Sequence, residues 1–309
     1  MSAHPSLNVI SIGAIHHDTI AHAETSIDPE TSTPARFSSK PGGVATNIAR
    51  TLVRLDVKTL LVGTVGEDAA ADMLQRVLSG EGLDLRLVRR KGLSTGQYIA
   101  FHDPSGDLTA ACVDDSILSK APADLFDDVL KTLCAEKPGH TLWFLDANLP
   151  VDLLLRVTGL LTEHDENARL FANAVSNAKA HRLLPILDRL ECLMLNRGEA
   201  AALLGTTLDT AIDTLASGLS RTGLQRFILT DGGNDVLLHE NDGFQNFRPA
   251  AAQIVDVTGA GDALTAGTIA ALARGYSYRD ALPYGLSAAA LTLQGTGALP
   301  VDLSWDAIQ

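Results

Sequence analysis

Short apolar runs alternate with longer helix-patterned segments over most of this chain, and no other feature narrows the possible folds as far. Thr59–Val65, Thr141–Leu145, Leu170–Ala174, Glu191–Leu195 and Arg226–Thr230 have the make-up of strands buried on both faces. Ala70–Leu78, Val151–Leu161, Ala178–Leu187 and Leu208–Leu219 lie between them with helical length and spacing. Another strand-like run, Leu7–Ile12, stands near the start. This alternation predicts an α/β fold with a mostly parallel sheet covered by helices. Ligands of such sheets bind beyond the carboxyl ends of the strands. Asp146, Asn173, Asn196 and Asp231 fall at or just past those ends. Two segments break the rhythm. Ala21–Ser39 is rich in Thr, Ser, Pro and charge, and Gln97–Val113 has two strand-like runs around Asp103-Pro104-Ser105-Gly106, a hairpin signal. Both predict strands of a small sheet projecting from the main body.

Two glycine turns open helix-patterned runs. The later one, Asp256-Val257-Thr258-Gly259-Ala260-Gly261-Asp262, follows the apolar segment Gln253–Val257 and leads into the helix-forming Ala263–Arg274. Glycines let a backbone approach a ligand closely. A helix start adds unsatisfied N–H donors and a positive dipole end. Gly259, Ala260 and Gly261 together make a pocket for an anion such as a phosphoryl group. Asp262 stands at its edge, placed to take the proton of an attacking hydroxyl. The same residue also suits a helix first turn on dipole grounds alone. In the earlier turn, Pro41-Gly42-Gly43 leads into Val44–Arg50, with Val44, Ile48, Leu52 and Leu55 at helical spacing. Asn47 lies in that first turn, where an amide donates to and accepts from a polyol hydroxyl. One turn suits a polyol, the other a phosphate.

Composition excludes several classes. A chain of 309 residues with 46% hydrophobic and 20% charged residues can bury a large core. Its net charge of −13 argues against gripping nucleic acid or a membrane surface by electrostatics. A bound nucleotide stays compatible, because N–H groups and a metal ion offset phosphate charge locally. Cys112, Cys134 and Cys192 form no C-x-x-C pair, so a disulfide framework or structural zinc is not expected and a reducing, cytoplasmic location is. The first residues lack a signal-peptide pattern, and no apolar run reaches membrane-spanning length. Without repeats or low-complexity linkers, residues 1–309 are expected to form a single domain.

The motifs resemble those of a known family. Gly42-Gly43 followed by Asn47 and Ala49 resembles the N-terminal signature of the ribokinase-like (PfkB) carbohydrate and nucleoside kinases. Asp256–Asp262 resembles their C-terminal signature, the most specific of the matches. Asn196-Arg197-Gly198-Glu199 is similar to their Asn-x-x-Glu motif, and Thr230-Asp231-Gly232-Gly233 to a nucleotide-side Thr-x-Gly turn. The resemblance runs from about Val9 to about Val301. Within the family it is strongest to the pseudouridine kinases, through Tyr98–Leu108 with Val113–Ile117, Asp146–Leu149 and Phe171–Lys179. The family's Asp-Pro in the last segment is Asn173-Ala174 here, a departure that removes a charge.

The resemblance implies a three-layer sandwich with a β-sheet lid built from segments at about 15–40 and 95–115. It implies ATP and Mg2+ as cofactors, K+ as a further ion, and a homodimer formed through the lid. Asp262 would be the general base, with Gly259, Ala260 and Gly261 as the anion hole. Asp18, which follows Gly13 and the first strand, would hold substrate hydroxyls with Gly42, Gly43 and Asn47. Asn196, Thr230, Gly232, Gly233 and Lys179 would face ATP. Glu199 would meet Mg2+ through water, although Asn196 and Glu199 also fit a helix-capping pair. Asp256 and Thr258, with carbonyls near Leu291–Gly297, would hold the monovalent cation. The implied activity is phosphorylation of the 5′-hydroxyl of a nucleoside, with pseudouridine first. A ribokinase, fructokinase or purine-nucleoside kinase, and a catalytically silent sensor, are the alternatives. A dinucleotide-dependent oxidoreductase ranks last, because Gly13-Ala14-Ile15-His16 replaces a G-x-G-x-x-G after the first strand.

Overall fold

The computed structural model describes residues 8–28, 30–136, 141–240 and 243–309; Leu7, the expected start of the first strand, lies outside them. In chain order the strands are β1 (Asn8–Ile12), β2 (His16–Ala23), β3 (Ala35–Gly42), β4 (Thr59–Val65), β5 (Asp84–Arg89), β6 (Gly96–His102), β7 (Leu108–Asp114), β8 (Thr141–Asp146), β9 (Arg169–Asn173), β10 (Cys192–Asn196), β11 (Arg226–Thr230), β12 (Val236–Glu240) and β13 (Gly243–Phe247). The helices are α1 (Val44–Arg54), α2 (Ala69–Gly80), α3 (Ser116–Ser119), α4 (Asp127–Glu136), α5 (Val151–His164), α6 (Arg197–Leu204), α7 (Ile212–Ser220), α8 (Ala260–Ala273) and α9 (Tyr278–Leu293).

Nine strands form the main sheet in the order β13-β12-β11-β10-β9-β8-β1-β4-β5. Pairing is parallel throughout except at β11–β12 and β12–β13. Alternate residues of the central strands feed two cores. Val9, Phe144, Phe171, Met194 and Ile228 pack with apolar residues of α1, α2, α8 and α9. Ile10, Trp143, Leu170, Leu193 and Phe227 point the other way, toward α4, α5, α6 and α7. The period-2 pleat therefore produces the helix–sheet–helix sandwich directly. A second sheet, β3-β2-β6-β7, takes in both segments that interrupt the alternation. The Asp103 carboxylate closes the β6–β7 hairpin by accepting from the N–H groups of Ser105 and Asp107. Among the described residues no helix is long and apolar enough to cross a membrane.

Three expectations shift. Ala178–Leu187 becomes a 3-10 helix over Ala180–Arg189, because Pro185 inside it offers no N–H to an α-helical ladder. The helix expected from Leu208 starts only at Ile212; Leu208 is exposed, in a turn closed by the Thr210 N–H on the Thr207 carbonyl. The late helix begins at Ala260 rather than Ala263, so Gly261 and Asp262 sit inside its first turn.

Helix α8 is buried around nearly its whole circumference. Small residues allow α9 to lie hard against it. A Cβ on Gly267 would come within 2.9 Å of the Gly285 Cα, and one on Gly285 within 2.2 Å of the Thr268 hydroxyl. This contact seats α8, and with it Asp262. Gly285→Ala is therefore expected to overpack the pair and lower stability by about 1–3 kcal/mol, read as a fall in the urea midpoint. An unchanged midpoint would show that the helices have slack there.

Candidate active site

The strand order reverses between β1 and β8: the chain leaves β1 toward β4 and β5, then returns to β8 on the other side. Such a switch point opens a crevice beyond the strand ends. Asp146, the last residue of β8, is fully buried there. Its Oδ2 accepts from the N–H of Ala14 at 3.1 Å, the N–H of Ala45 at 3.0 Å and the Asn148 side-chain amide at 2.9 Å. Gly13 makes room, since a Cβ there would stand 2.4 Å from the Asp146 carboxyl carbon. Gly43 adopts φ 96° ahead of α1, in contact with the Ala14 carbonyl, where a side chain would collide. The Thr46 hydroxyl donates to that carbonyl at 2.8 Å. These ties fix the first turn of α1 and aim Asn47 into the crevice.

Helix α8 enters from the other side. Gly259, at φ 79°, lies under Ala298, which a Cβ would meet at 2.4 Å. The main-chain N–H groups of Gly261 and Asp262 find no acceptor among the described residues. The Asn47 side-chain amide donates to the Asp262 carboxylate at 2.9 Å, joining residues 215 positions apart. Burial pushes the Asp262 carboxyl up to about 7; the Asn47 hydrogen bond opposes this, and the charges of Asp146 and Glu199 add to it.

Two pockets meet at this pair. On one side lies a cleft of about 720 Å³ lined by Gly259, Ala260, Gly261 and Asp262 together with Asn196, Glu199, Thr230, Gly232 and Gly233. Ile254 and Val257 also line it and are exposed, so the apolar segment before the glycine turn faces the cleft rather than the core. Ala289, Ala290 and Leu293 of α9 form a further wall. Asn196 and Glu199 make a complete capping box: the Asn196 N–H donates to Glu199 at 2.8 Å and the Glu199 N–H to Asn196 at 2.9 Å. Glu199 also reaches the cleft, and burial holds its carboxyl above the usual range against the Asn196 hydrogen bond. Asn173 lines the cleft as well, its oxygen accepting the Val175 N–H at 2.8 Å.

The smaller pocket, about 110 Å³, is bordered by Asp18, Asn47, Thr258 and Gly297, and by Lys40 and Arg50, which the sequence reading did not single out. Burial pushes the Asp18 carboxyl up to about 6, opposed by Lys40 and Arg50. Asp18 Oδ1 is buried without a partner. Gly42 permits this placement, since its Cβ would lie 2.0 Å from Asp18 Oδ2. Asp256 accepts from the Thr258 N–H and the Gly297 N–H, both at 2.8 Å, and so ties the glycine turn to the loop after α9. Partial burial would raise its carboxyl, but hydrogen bonds from Thr258 and Gly297, with the charge of Lys40, outweigh it and hold it low.

Lys179 does not join the nucleotide-side group. Its ammonium donates to Asn148 at 2.7 Å and pairs with Asp115 at 3.3 Å, and the residue is absent from the lining of the large cleft. Lys40 and Arg50 escaped the sequence reading because neither lies in a glycine turn. Only the strand pairing of β2 with β3 and the rise of α1 bring them to Asp18.

The family model for pfkB carbohydrate kinases matches residues 6–304. The pseudouridine kinase of Escherichia coli (strain K12) is 27% identical over 93% of this chain and 91% of its own length. The solved structure of a carbohydrate kinase from Agrobacterium tumefaciens superposes with a TM-score of 0.85 at 28% identity, covering 97% of this chain and 95% of that one. Arabidopsis thaliana ribokinase, solved with ribose and ATP, gives a TM-score of 0.82 at 21% identity, covering 99% and 98%. With the match extending over nearly its whole length, the chain belongs to the pfkB family of carbohydrate kinases, phosphotransferases that act on an alcohol acceptor.

Proposed function

We propose that the protein transfers the γ-phosphoryl group of ATP to the 5′-hydroxyl of a nucleoside, with pseudouridine as acceptor and pseudouridine 5′-phosphate as product. The observation behind this reading is the Asp262 carboxyl, raised to about 7 and held by Asn47 where the large cleft meets the small pocket. A base with that affinity takes a hydroxyl proton near neutral pH and gives it up again. The 5′-oxygen, relieved of its proton by Asp262, attacks the γ-phosphorus in line as the bond to the ADP oxygen breaks. The N–H groups of the Gly259–Gly261 turn and the first turn of α8 receive the charge that builds on the equatorial oxygens.

Asp18, Gly42, Gly43 and Asn47 hold the ribosyl group. The unpartnered Asp18 oxygen supports this, because a substrate hydroxyl would supply the missing hydrogen bond. Asn196, Thr230, Gly232 and Gly233 face the ATP phosphates. The large cleft has no cysteine or histidine in its lining, and its oxygen donors fit a hard cation. Mg2+, when bound, neutralises phosphate charge, and Glu199 is the residue that would hold it, through water. Asp256 and Thr258 would hold a monovalent cation such as K+ beside the turn.

The small sheet forms a lid that keeps water from the phosphoryl group. Its outer face, with Phe37 and Phe101 exposed in one cross-strand row, supports a homodimer. The residues form one domain in a reducing, cytoplasmic setting. Resemblance to the Escherichia coli pseudouridine kinase favours a C-nucleoside acceptor over ribose, fructose or a purine nucleoside.

Asp262→Asn is expected to lower kcat by about 10²–10⁴-fold while the KM for ATP changes little. Near-normal turnover would remove Asp262 from the role of base, whereas ligand binding without any turnover in the parent would favour a silent sensor. Because the base acts only when ionised, kcat/KM should fall below a midpoint of about pH 7 and level off above it. A midpoint of about 4, that of an ordinary carboxylate, would contradict the assignment. Among pseudouridine, ribose, fructose, adenosine and inosine in an ADP-release assay, pseudouridine should show the highest kcat/KM. Preference for another acceptor would redirect the substrate and leave the kinase reading intact.

A further inference from the structure

We propose that Lys40 is a substrate-binding residue whose ammonium works beside the Asp18 carboxylate as a donor–acceptor pair for neighbouring hydroxyls of the acceptor. This rests on the kinase reading above and extends it to a residue outside every glycine signature. Asp18 and Lys40 are direct cross-strand partners in β2 and β3. Directly opposed residues share one face of a sheet, and both of these border the small pocket. The ammonium reaches across to the main body, where a Cβ on Gly297 would lie 2.8 Å from Lys40 Nζ. Arg50, the other cation of the pocket, is already engaged by Glu81 through two hydrogen bonds of 2.6 Å. Lys40 makes no ion pair within 4.0 Å among the described residues, and its charge acts on Asp18 and on Asp256 beside the glycine turn.

Charge and hydrogen-bonding chemistry then select the ligand. Asp18 keeps one oxygen without a donor, and the Lys40 ammonium brings donors to the same pocket. Two adjacent hydroxyls satisfy both at once, one donating to Asp18 and the other accepting from Lys40. The pair is neutral overall, which favours an uncharged polyol over a phosphorylated sugar. Asp18 faces Lys40 from β3, Arg50 from α1 and Tyr98 from β6, its parallel partner. Removing the ammonium removes one of the two positive charges that favour the ionised Asp18.

The test compares Lys40→Met and Lys40→Arg with the parent, using pseudouridine and its 2′-deoxy and 3′-deoxy analogues. Loss of a charged hydrogen bond should raise the KM for pseudouridine about tenfold or more in Lys40→Met. kcat and the KM for ATP should change less than twofold, and Lys40→Arg should restore part of the loss. In the parent at least one deoxy analogue should bind worse than pseudouridine, and Lys40→Met should abolish that difference. In nucleoside-binding measurements, the pH below which protonation of Asp18 weakens binding should also move higher in Lys40→Met, since Lys40 favours the ionised carboxylate. An unchanged KM for pseudouridine, or a deoxy penalty retained in full, would overturn the proposal. Calorimetric binding of the same nucleosides without ATP separates the two readings. Binding without turnover sinks the kinase assignment and still reads the Lys40 contact, whereas a parent that binds none of these nucleosides overturns both.

Discussion

One buried carboxylate holds together the end of this molecule where the crevice opens. Asp146 closes β8 at the switch point and accepts N–H groups from the end of β1 and the start of α1. A carboxylate facing a helix N-terminus is favoured by the aligned peptide dipoles, and charge-assisted hydrogen bonds are stronger than neutral ones. The side chain cannot be exchanged for an apolar one without leaving those amides unpaired in the interior. Gly13 and Gly43 are shaped by the same constraint: one leaves space for the carboxyl group, the other bends the chain from the small sheet into α1. The orientation of Asn47, and through it of Asp262, follows from this knot.

The second half of the site depends on packing rather than charge. Apart from Asp262, helix α8 is made of alanine, glycine, threonine and a few larger apolar residues, and its glycine contact with α9 lets it run through the core. A helix buried on all sides delivers its N-terminus into a place where water is scarce. That burial lifts the Asp262 carboxyl toward neutrality, assisted by the neighbouring Asp146 and Glu199 charges. Stability and reactivity are thus linked, since the apolar surroundings that seat α8 also make Asp262 a stronger base than an exposed aspartate. An aspartate in place of Asn173 would add a further negative charge to the cleft, so the asparagine limits how far the crowding goes.

Much of the scaffold was legible. Strands such as Thr59–Val65 and Arg226–Thr230 lie where the apolar runs place them, because strands buried on both faces are built mostly from apolar residues. Hairpin chemistry at Asp103–Gly106 was equally plain, since turn residues act locally. The failures have local causes too. Helical periodicity in Ala178–Leu187 says nothing about the missing N–H of Pro185. The partners of Lys179 were not legible either, because a lysine near a strand end has many within reach, and here Asn148 and Asp115 hold it.

By itself the sequence determined the layered α/β architecture, the two glycine turns and the identity of the acidic residue that follows the second. These are properties of short stretches, set by side-chain pattern and by the backbone freedom of glycine. Tertiary structure alone decided that residues 47 and 262 would share a hydrogen bond, that Asp146 would stitch β1, β8 and α1 together, and that Lys40 would stand beside Asp18. Those contacts join positions far apart along the chain. They depend on strand order, on register and on how closely α8 and α9 pack, none of which any local stretch encodes.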